Sequence, residues 1–200
     1  FSYGKAKREP NRSDYKNGNP VSETLHDFEL GWRHKNSKIN LKYNFYWMEY
    51  FNQLILTGDI DDVGLPIRKN VGNSRRIGLE IDSSIRVNNS LSWLFNLSIS
   101  SNKNFDYYFE REGILKSLGK TNLSFSPNLI SASQINYKIS KNLKISLLSK
   151  YVSKQNMGNI DSRLSILPSY FISDLNFSYL IEPLKIVKKI ILSLLINNIV

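Results

Sequence analysis

The sequence predicts an all-β protein, an antiparallel meander of long strands forming a transmembrane β-barrel. Three observations carry this. Eight long stretches alternate apolar and polar residues, the period of a strand with two unlike faces. The joints between them run short, long, short, long. The stretches also run to about 10–13 residues, where strands of soluble domains average about 5–6 and a tilted membrane strand needs about 9–11.

The short joints are Lys35-Asn36-Ser37, Asn88-Asn89, Ser140-Lys141-Asn142 and Glu182-Pro183. The long ones run from about Leu54 to Ser74, about Asn104 to Asn128 and about Ser153 to Ser169. In an antiparallel meander successive joints fall on opposite ends of the sheet. All tight turns therefore share one end and all large loops the other, the asymmetry of outer-membrane barrels with short periplasmic turns and long outward loops.

Taken in order, Phe1 to Ala6 read as the tail of a strand. In the first full pair, Phe28, Leu30 and Trp32 oppose Asp27, Glu29 and Arg33, and Ile39, Leu41, Tyr43, Phe45 and Trp47 oppose Lys38, Asn40, Lys42 and Asn44. In the second, Ile77, Leu79, Ile81, Ile85 and Val87 oppose Arg76, Glu80, Asp82 and Arg86. Their partners Leu91, Trp93, Phe95, Leu97 and Ile99 oppose Ser92, Asn96, Ser98 and Ser100. The stretch from Leu129 to Ile139 is rougher, because Ser131 and Ser133 fall on its apolar face. Leu143, Ile145 and Leu147 then oppose Lys144 and Ser146, and Leu175, Phe177 and Tyr179 oppose Asp174, Asn176 and Ser178. Chain continues as a strand from Ile190 to the end.

Aromatics decide which way the apolar face points. Trp32, Trp93, Tyr137 and Tyr179 lie toward the short turns, and Phe28, Phe45, Trp47, Tyr151 and Phe171 toward the loops. Two such bands, about 25 Å apart, are the girdles at which rings meet lipid headgroups. The apolar face then looks outward to lipid, and Glu29, Arg33, Lys42, Glu80, Asp82 and Arg86 look into the lumen, either to contact plug or solute or, the favoured reading, as a hydrated wall whose charges pair with one another.

Composition excludes several alternatives. The absence of cysteine removes disulfide scaffolds and thiolate metal sites. No run of about 18 apolar residues marks a transmembrane helix. The formal charge of +10 could suggest nucleic acid, but the Lys and Arg residues are scattered through turns, loops and polar strand faces. A nucleic-acid partner is therefore not expected. A propeller blade packs four strands into about 40–45 residues, a length that holds two here.

No catalytic constellation is legible. His26 and His34 sit at opposite ends of one strand, roughly 25 Å apart by strand rise, and share no site. Asp59, Asp61 and Asp62 lack the ligand order of a dedicated calcium loop. Gly72 and Gly78 precede no helix and so form no phosphate loop. No cofactor is implied. Tyr107, Tyr108 and Phe109, with Arg111 beside them, suit capture of a sugar or chelate by stacking and polar contact, or equally the packing of their own loop.

Beyond periodicity, a series of short motifs resembles the barrels of TonB-dependent outer-membrane receptors. They are Arg8-Glu9-Pro10-Asn11-Arg12-Ser13-Asp14-Tyr15, Glu23 to Gly31, Asn44 to Tyr50 with Asn52 to Gly58, Asn70 to Glu80, Asn122-Leu123-Ser124-Phe125-Ser126-Pro127, Tyr151 to Gln155, and Asn197-Asn198-Ile199. Their order and spacing span nearly the whole chain. One departure follows Gln155, where Asn156-Met157-Gly158-Asn159-Ile160 replaces the family's tyrosine, apolar residue and Asp-Asn-Thr.

The resemblance implies that residues 1–200 are the C-terminal portion of a barrel of about 22 strands, without plug domain, signal peptide or aromatic-ended final strand. It implies a cell outer-membrane location and import of a large scarce solute such as an iron chelate, vitamin, glycan or peptide. The implied partners are outer-membrane lipid and lipopolysaccharide, and the TonB energy-transducing complex acting through the missing plug region. A surface lipoprotein over the loops stays open, as does the alternative of a self-contained small barrel with an adhesin or structural role.

Overall fold

The computed structural model describes residues 1–70, 72–111, 114–181 and 190–200. Its strands are β1 (Ser2–Arg8), β2 (Glu23–Lys35), β3 (Ile39–Phe51), β4 (Leu54–Ile60), β5 (Pro66–Asn70), β6 (Asn73–Arg86), β7 (Leu91–Arg111), β8 (Ile114–Asn122), β9 (Leu129–Lys138), β10 (Leu143–Val152), β11 (Gln155–Asn156), β12 (Ile166–Leu167), β13 (Tyr170–Ile181) and β14 (Ile190–Ile196). Helical geometry among the described residues is confined to short 3-10 turns at Asp14–Asn17 and Arg163–Ser165.

One antiparallel sheet runs β1-β2-β3-β6-β7-β9-β10-β13-β14, with β8 added to β7. These are the eight full strands and the initial remnant that the alternation predicts. β1 and β14 stand at the two ends of the path and do not pair with each other, so the described sheet is an arc.

Register fixes the faces. Phe28 pairs with Trp47, Trp47 with Ile77, and Ile77 with Ser101. Glu29 pairs with Tyr46, Tyr46 with Gly78, and Gly78 with Ser100. Because side chains alternate, each row continues on one face across the sheet. The apolar face is largely uncovered: Leu30 is 59% exposed, Trp32 57% and Leu194 60%. The buried residues are instead polar-face groups such as Asn136 and Ser146, and loop-end residues such as Leu54, Leu123 and Val152. A soluble sheet protein inverts this arrangement.

The short turns reuse one device. Asn36 Oδ1 accepts from the amides of Lys38 and Ile39 at 2.9 and 2.8 Å. Asn88 Oδ1 accepts from Ser90 and Leu91, both at 2.8 Å, and Ser140 Oγ from Asn142 and Leu143 at 3.2 and 3.1 Å. In each, a side chain stands in for the carbonyl that the reversal leaves without a ladder partner. The fourth expected short joint, Glu182-Pro183, lies outside the described residues.

The long joints hold more strand than expected. β7 continues to Arg111 and pairs with β8, so the joint expected from Asn104 to Asn128 is largely a protruding hairpin. The register shifts between Asn104 and Tyr107, where Asp106 has φ +58°. That bulge breaks the period of two and hides the extension from a periodicity reading. Likewise β4 and β5 form a separate two-stranded sheet between Leu54 and Ser74.

The roughness of β9 has a physical account, since Ser133 on its apolar face accepts the Trp93 indole N–H at 2.9 Å. Gly78 is required by its neighbour. A Cβ there would lie 2.5 Å from the Tyr46 ring and 2.8 Å from the Ile99 carbonyl oxygen. Tyr46, directly opposite, covers the gap that glycine leaves in the sheet. Gly78→Ala is expected to destabilise the folded sheet by about 1–3 kcal/mol through overpacking, with partial recovery when Tyr46→Ala is added. Urea unfolding in micelles measures both; an unchanged midpoint for the single variant would contradict the close fit.

Candidate functional site

The loop end is where side chains converge. Its segments are tied down by short polar side chains that bond to the backbone. Asp14 Oδ2 accepts from the Asn11 amide at 2.8 Å, and Asn11 Oδ1 accepts from the Asp14 amide at 2.9 Å. Asp14, buried, also approaches the Arg68 guanidinium at 3.7 Å. Glu23 Oε2 accepts from the Leu54 amide at 2.9 Å. Asn70 accepts from the Val21 amide and donates to the carbonyls of Val21 and Asn52 at 3.0 and 2.6 Å. Gly72, at φ +90°, brings its chain so close to β7 that a Cβ would meet the Asp106 carbonyl oxygen at 2.8 Å.

A second set joins the hairpin base to the following loop. Asp161 Oδ1 accepts from the Asn122 amide at 3.1 Å and from the side-chain amides of Asn122 and Asn156, both at 2.7 Å. Asn159 Oδ1 accepts from the Ser124 amide at 3.0 Å, and the Phe125 amide donates to the Asn156 carbonyl at 2.8 Å. Asn156 and Asn159 come from the segment after Gln155 that departs from the expected motif, and Asp161 follows directly on it. Asn159 and Asp161 were not singled out by sequence reasoning; their only signal is a cluster of Asn and Asp in a loop.

The aromatic loop residues separate. Tyr107 is 3% exposed and packs the base of the hairpin opposite Gly119, and burial pushes its phenol above the usual range. Tyr107 thus packs its own loop. Tyr108 is exposed and Phe109 half-buried; the Arg111 side chain lies outside the described residues.

On the apolar face the strand charges gather at the loop end. By register Lys5, Lys7, Glu49, Arg75 and Lys103 share the face of Phe28 and Trp47. Arg75 bonds to Glu49, which also accepts the Trp47 indole N–H at 2.7 Å. The Arg75 guanidinium stacks over the rings of Trp47 and Phe105, each 5.2 Å to the centroid, and Lys120 lies 5.2 Å from Phe105. Toward the short turns, the described strand residues on this face carry no Lys, Arg, Asp or Glu. Between Ile39 and Trp47 on β3 the uncharged stretch measures about 26 Å along the strand, or about 20 Å across a membrane at the usual tilt.

The expected girdle residues Trp32, Phe45, Trp47, Trp93, Tyr137, Tyr151, Phe171 and Tyr179 all fall on the apolar face by register. Glu29, Arg33, Lys42, Glu80, Asp82 and Arg86 share the polar face. Their mutual pairing is not seen. The ion pairs seen are Asp14–Arg68 and Glu49–Arg75, neither of them on the polar strand face, while Asp82 bonds to the Asn96 amide and Arg33 to Asn40. Uncharged amides on neighbouring strands take the place of counter-ions. His26 meets the Tyr3 hydroxyl at 2.8 Å, and His34 stacks on Trp32.

Removing the Asp161 carboxylate leaves the Asn122 amide without its partner. Asp161→Ala is expected to speed hydrogen exchange at Asn122 and Ser124 about 5–30-fold, for about 1–2 kcal/mol of local stability. Exchange in the strand centres should not change. Mass-spectrometric exchange on detergent-folded protein measures this, and unchanged loop rates would show that the tie contributes nothing.

Residues 1–199 match the family model described as TonB dependent receptor-like, beta-barrel. No curated protein is significantly similar in sequence. Among solved structures, the copper transporter OprC superposes with a TM-score of 0.73 at 16% identity, over 98% of this chain and 30% of its own. The FrpB iron transporter of Neisseria meningitidis gives 0.66 at 16% identity, over 98% and 31%. The ferric yersiniabactin uptake receptor FyuA of Yersinia pestis gives 0.63 at 16% identity, over 90% and 25%. The chain thus spans a quarter to a third of the length of these structures, which share its fold. It belongs to the TonB-dependent receptor β-barrel family.

Proposed function

We propose, taking that membership as premise, that this chain is part of the wall and mouth of an outer-membrane receptor that imports a large scarce solute. The apolar face meets lipid, the polar face lines the lumen, and the tied loops form part of the outer mouth. Chemistry is absent; the work is binding followed by movement of a plug supplied outside residues 1–200 and driven by the TonB complex. One observation carries this reading: an exposed apolar face whose strand charges, among the described residues, stand only beside the loops. Iron chelates and copper head the solute classes, because the similar structures are named for their uptake. The open edges of the sheet support a share in a larger barrel over a self-contained one.

The same charge pattern supports a lipid partner. Lys5, Lys7, Arg75, Lys103 and Lys120 would stand at headgroup depth in the outer leaflet, where lipopolysaccharide phosphates supply the counter-charge. Trp47 and Phe105 hold the Arg75 guanidinium in place there.

The sequence has no cysteine, so single cysteines report topology without background. Leu164→Cys, at a loop position 95% exposed, should react with an impermeant maleimide on intact cells. Ser140→Cys, in a short turn, should react only after the outer membrane is opened. Cells expressing the receptor should accumulate a radioactive ferric chelate from a mixed panel, and a protonophore should stop it. Reversed labelling would overturn the orientation, and accumulation unaffected by the protonophore would overturn energised uptake.

A further inference from the structure

The polar face carries a cationic cleft at its short-turn end. Lys38, Arg86, Lys138 and Lys144 line a cavity of about 380 Å³, together with amides that include Asn40 and Asn136. No carboxylate lines it, and among the described residues none of the four cations stands in an ion pair. The acid nearest along β6, Asp82, is engaged with Asn96.

The register sharpens this. Lys138 pairs directly with Lys144 across β9 and β10. The Arg86 amide donates to the Lys38 carbonyl at 2.7 Å, which sets those two side by side on β6 and the β3 turn. Like charges directly opposite destabilise a sheet, and here two such pairs face one cleft. They flank β7, which pairs with both β6 and β9, so they stand about 10 Å apart by strand spacing. Other cross-strand cations have an acid on their second side: Lys42 meets Arg33 but also Asp82, and Arg75 meets Lys103 but also Glu49.

We propose that this cleft binds a small, multiply charged oxyanion, bearing phosphate or carboxylate groups at both ends, at the inner mouth of the lumen. The inference rests on the reading that the polar face lines an aqueous lumen. The cavity falls within the size of small-molecule sites, about 300–1,000 Å³. Arg86 offers a planar fork that takes two oxygens at once, and the three lysines act as mobile point charges. The amides supply neutral donors between the two cationic ends.

Sodium tripolyphosphate, with charge at both ends, is the probe. Titration calorimetry on receptor purified from outer membranes should show saturable binding that weakens as salt rises. Combined Lys138→Gln and Lys144→Gln should weaken it tenfold or more. Lys42→Gln, on the same face outside the cleft, should change it less than twofold. Each variant is first checked for heat-modifiable mobility, which reports a folded barrel. Absence of saturable binding, or equal affinity in the double variant, overturns the site. Ser84→Cys, on the cleft lining, separates the two levels of inference. Labelling of that cysteine by a water-soluble maleimide without tripolyphosphate binding overturns the site alone, whereas failure to label overturns the lumen reading beneath it.

Discussion

The antiparallel hydrogen-bond ladder is the constraint on which everything else rests. A strand in hydrocarbon cannot leave backbone N–H and C=O groups unpaired, since each would cost several kcal/mol. Continuous pairing from β1 through β14 satisfies the backbone between neighbours and frees the side chains to divide by face. The split of Trp47 and Ile77 from Tyr46 and Gly78 is then a consequence of pleat and register. So are the uncovered leucines and the serines and asparagines buried on the opposite side.

Where the ladder ends, a different device takes over. At the short turns one Asn or Ser side chain replaces the missing carbonyl. At the loop end the same chemistry is spread over longer distances, with Glu23, Asn70, Asn159 and Asp161 each accepting a backbone amide from another segment. The runs that resemble the receptor family in sequence contain several of these ties: Asn11 with Asp14, Glu23 with Leu54, and the Asn122-Leu123-Ser124 run. They hold the loop bases.

The sequence made the strand pairs legible because period two persists over whole strands with few interruptions. It hid the extension of β7, where Asp106 and the bulge shift the register. It also hid the loop sheet of β4 and β5, which stands apart from the main ladder. The faces of Glu80, Asp82 and Arg86 followed from alternation, but their partners did not. Which amide meets which carboxylate depends on registers between strands far apart in the chain. The cationic cleft is of this kind, since Lys38, Arg86, Lys138 and Lys144 come together only once three hairpins are laid side by side. Tyr107 shows the reverse limit, because an aromatic loop run reads alike whether its rings face solute or pack the hairpin.

The most direct test of the central claim compares arginine on the two faces of one level of the sheet. Ile81, paired with Leu97, faces outward near the middle of the apolar band, and Ser98, paired with Glu80, faces inward. In folding titrations of the protein into liposomes, Ile81→Arg should cost about 2–4 kcal/mol, the penalty for a cation at the bilayer midplane. Ser98→Arg should cost less than about 1 kcal/mol, because a lumen position stays hydrated. Equal penalties, or a larger one at Ser98, would contradict an outward apolar face and with it the membrane reading.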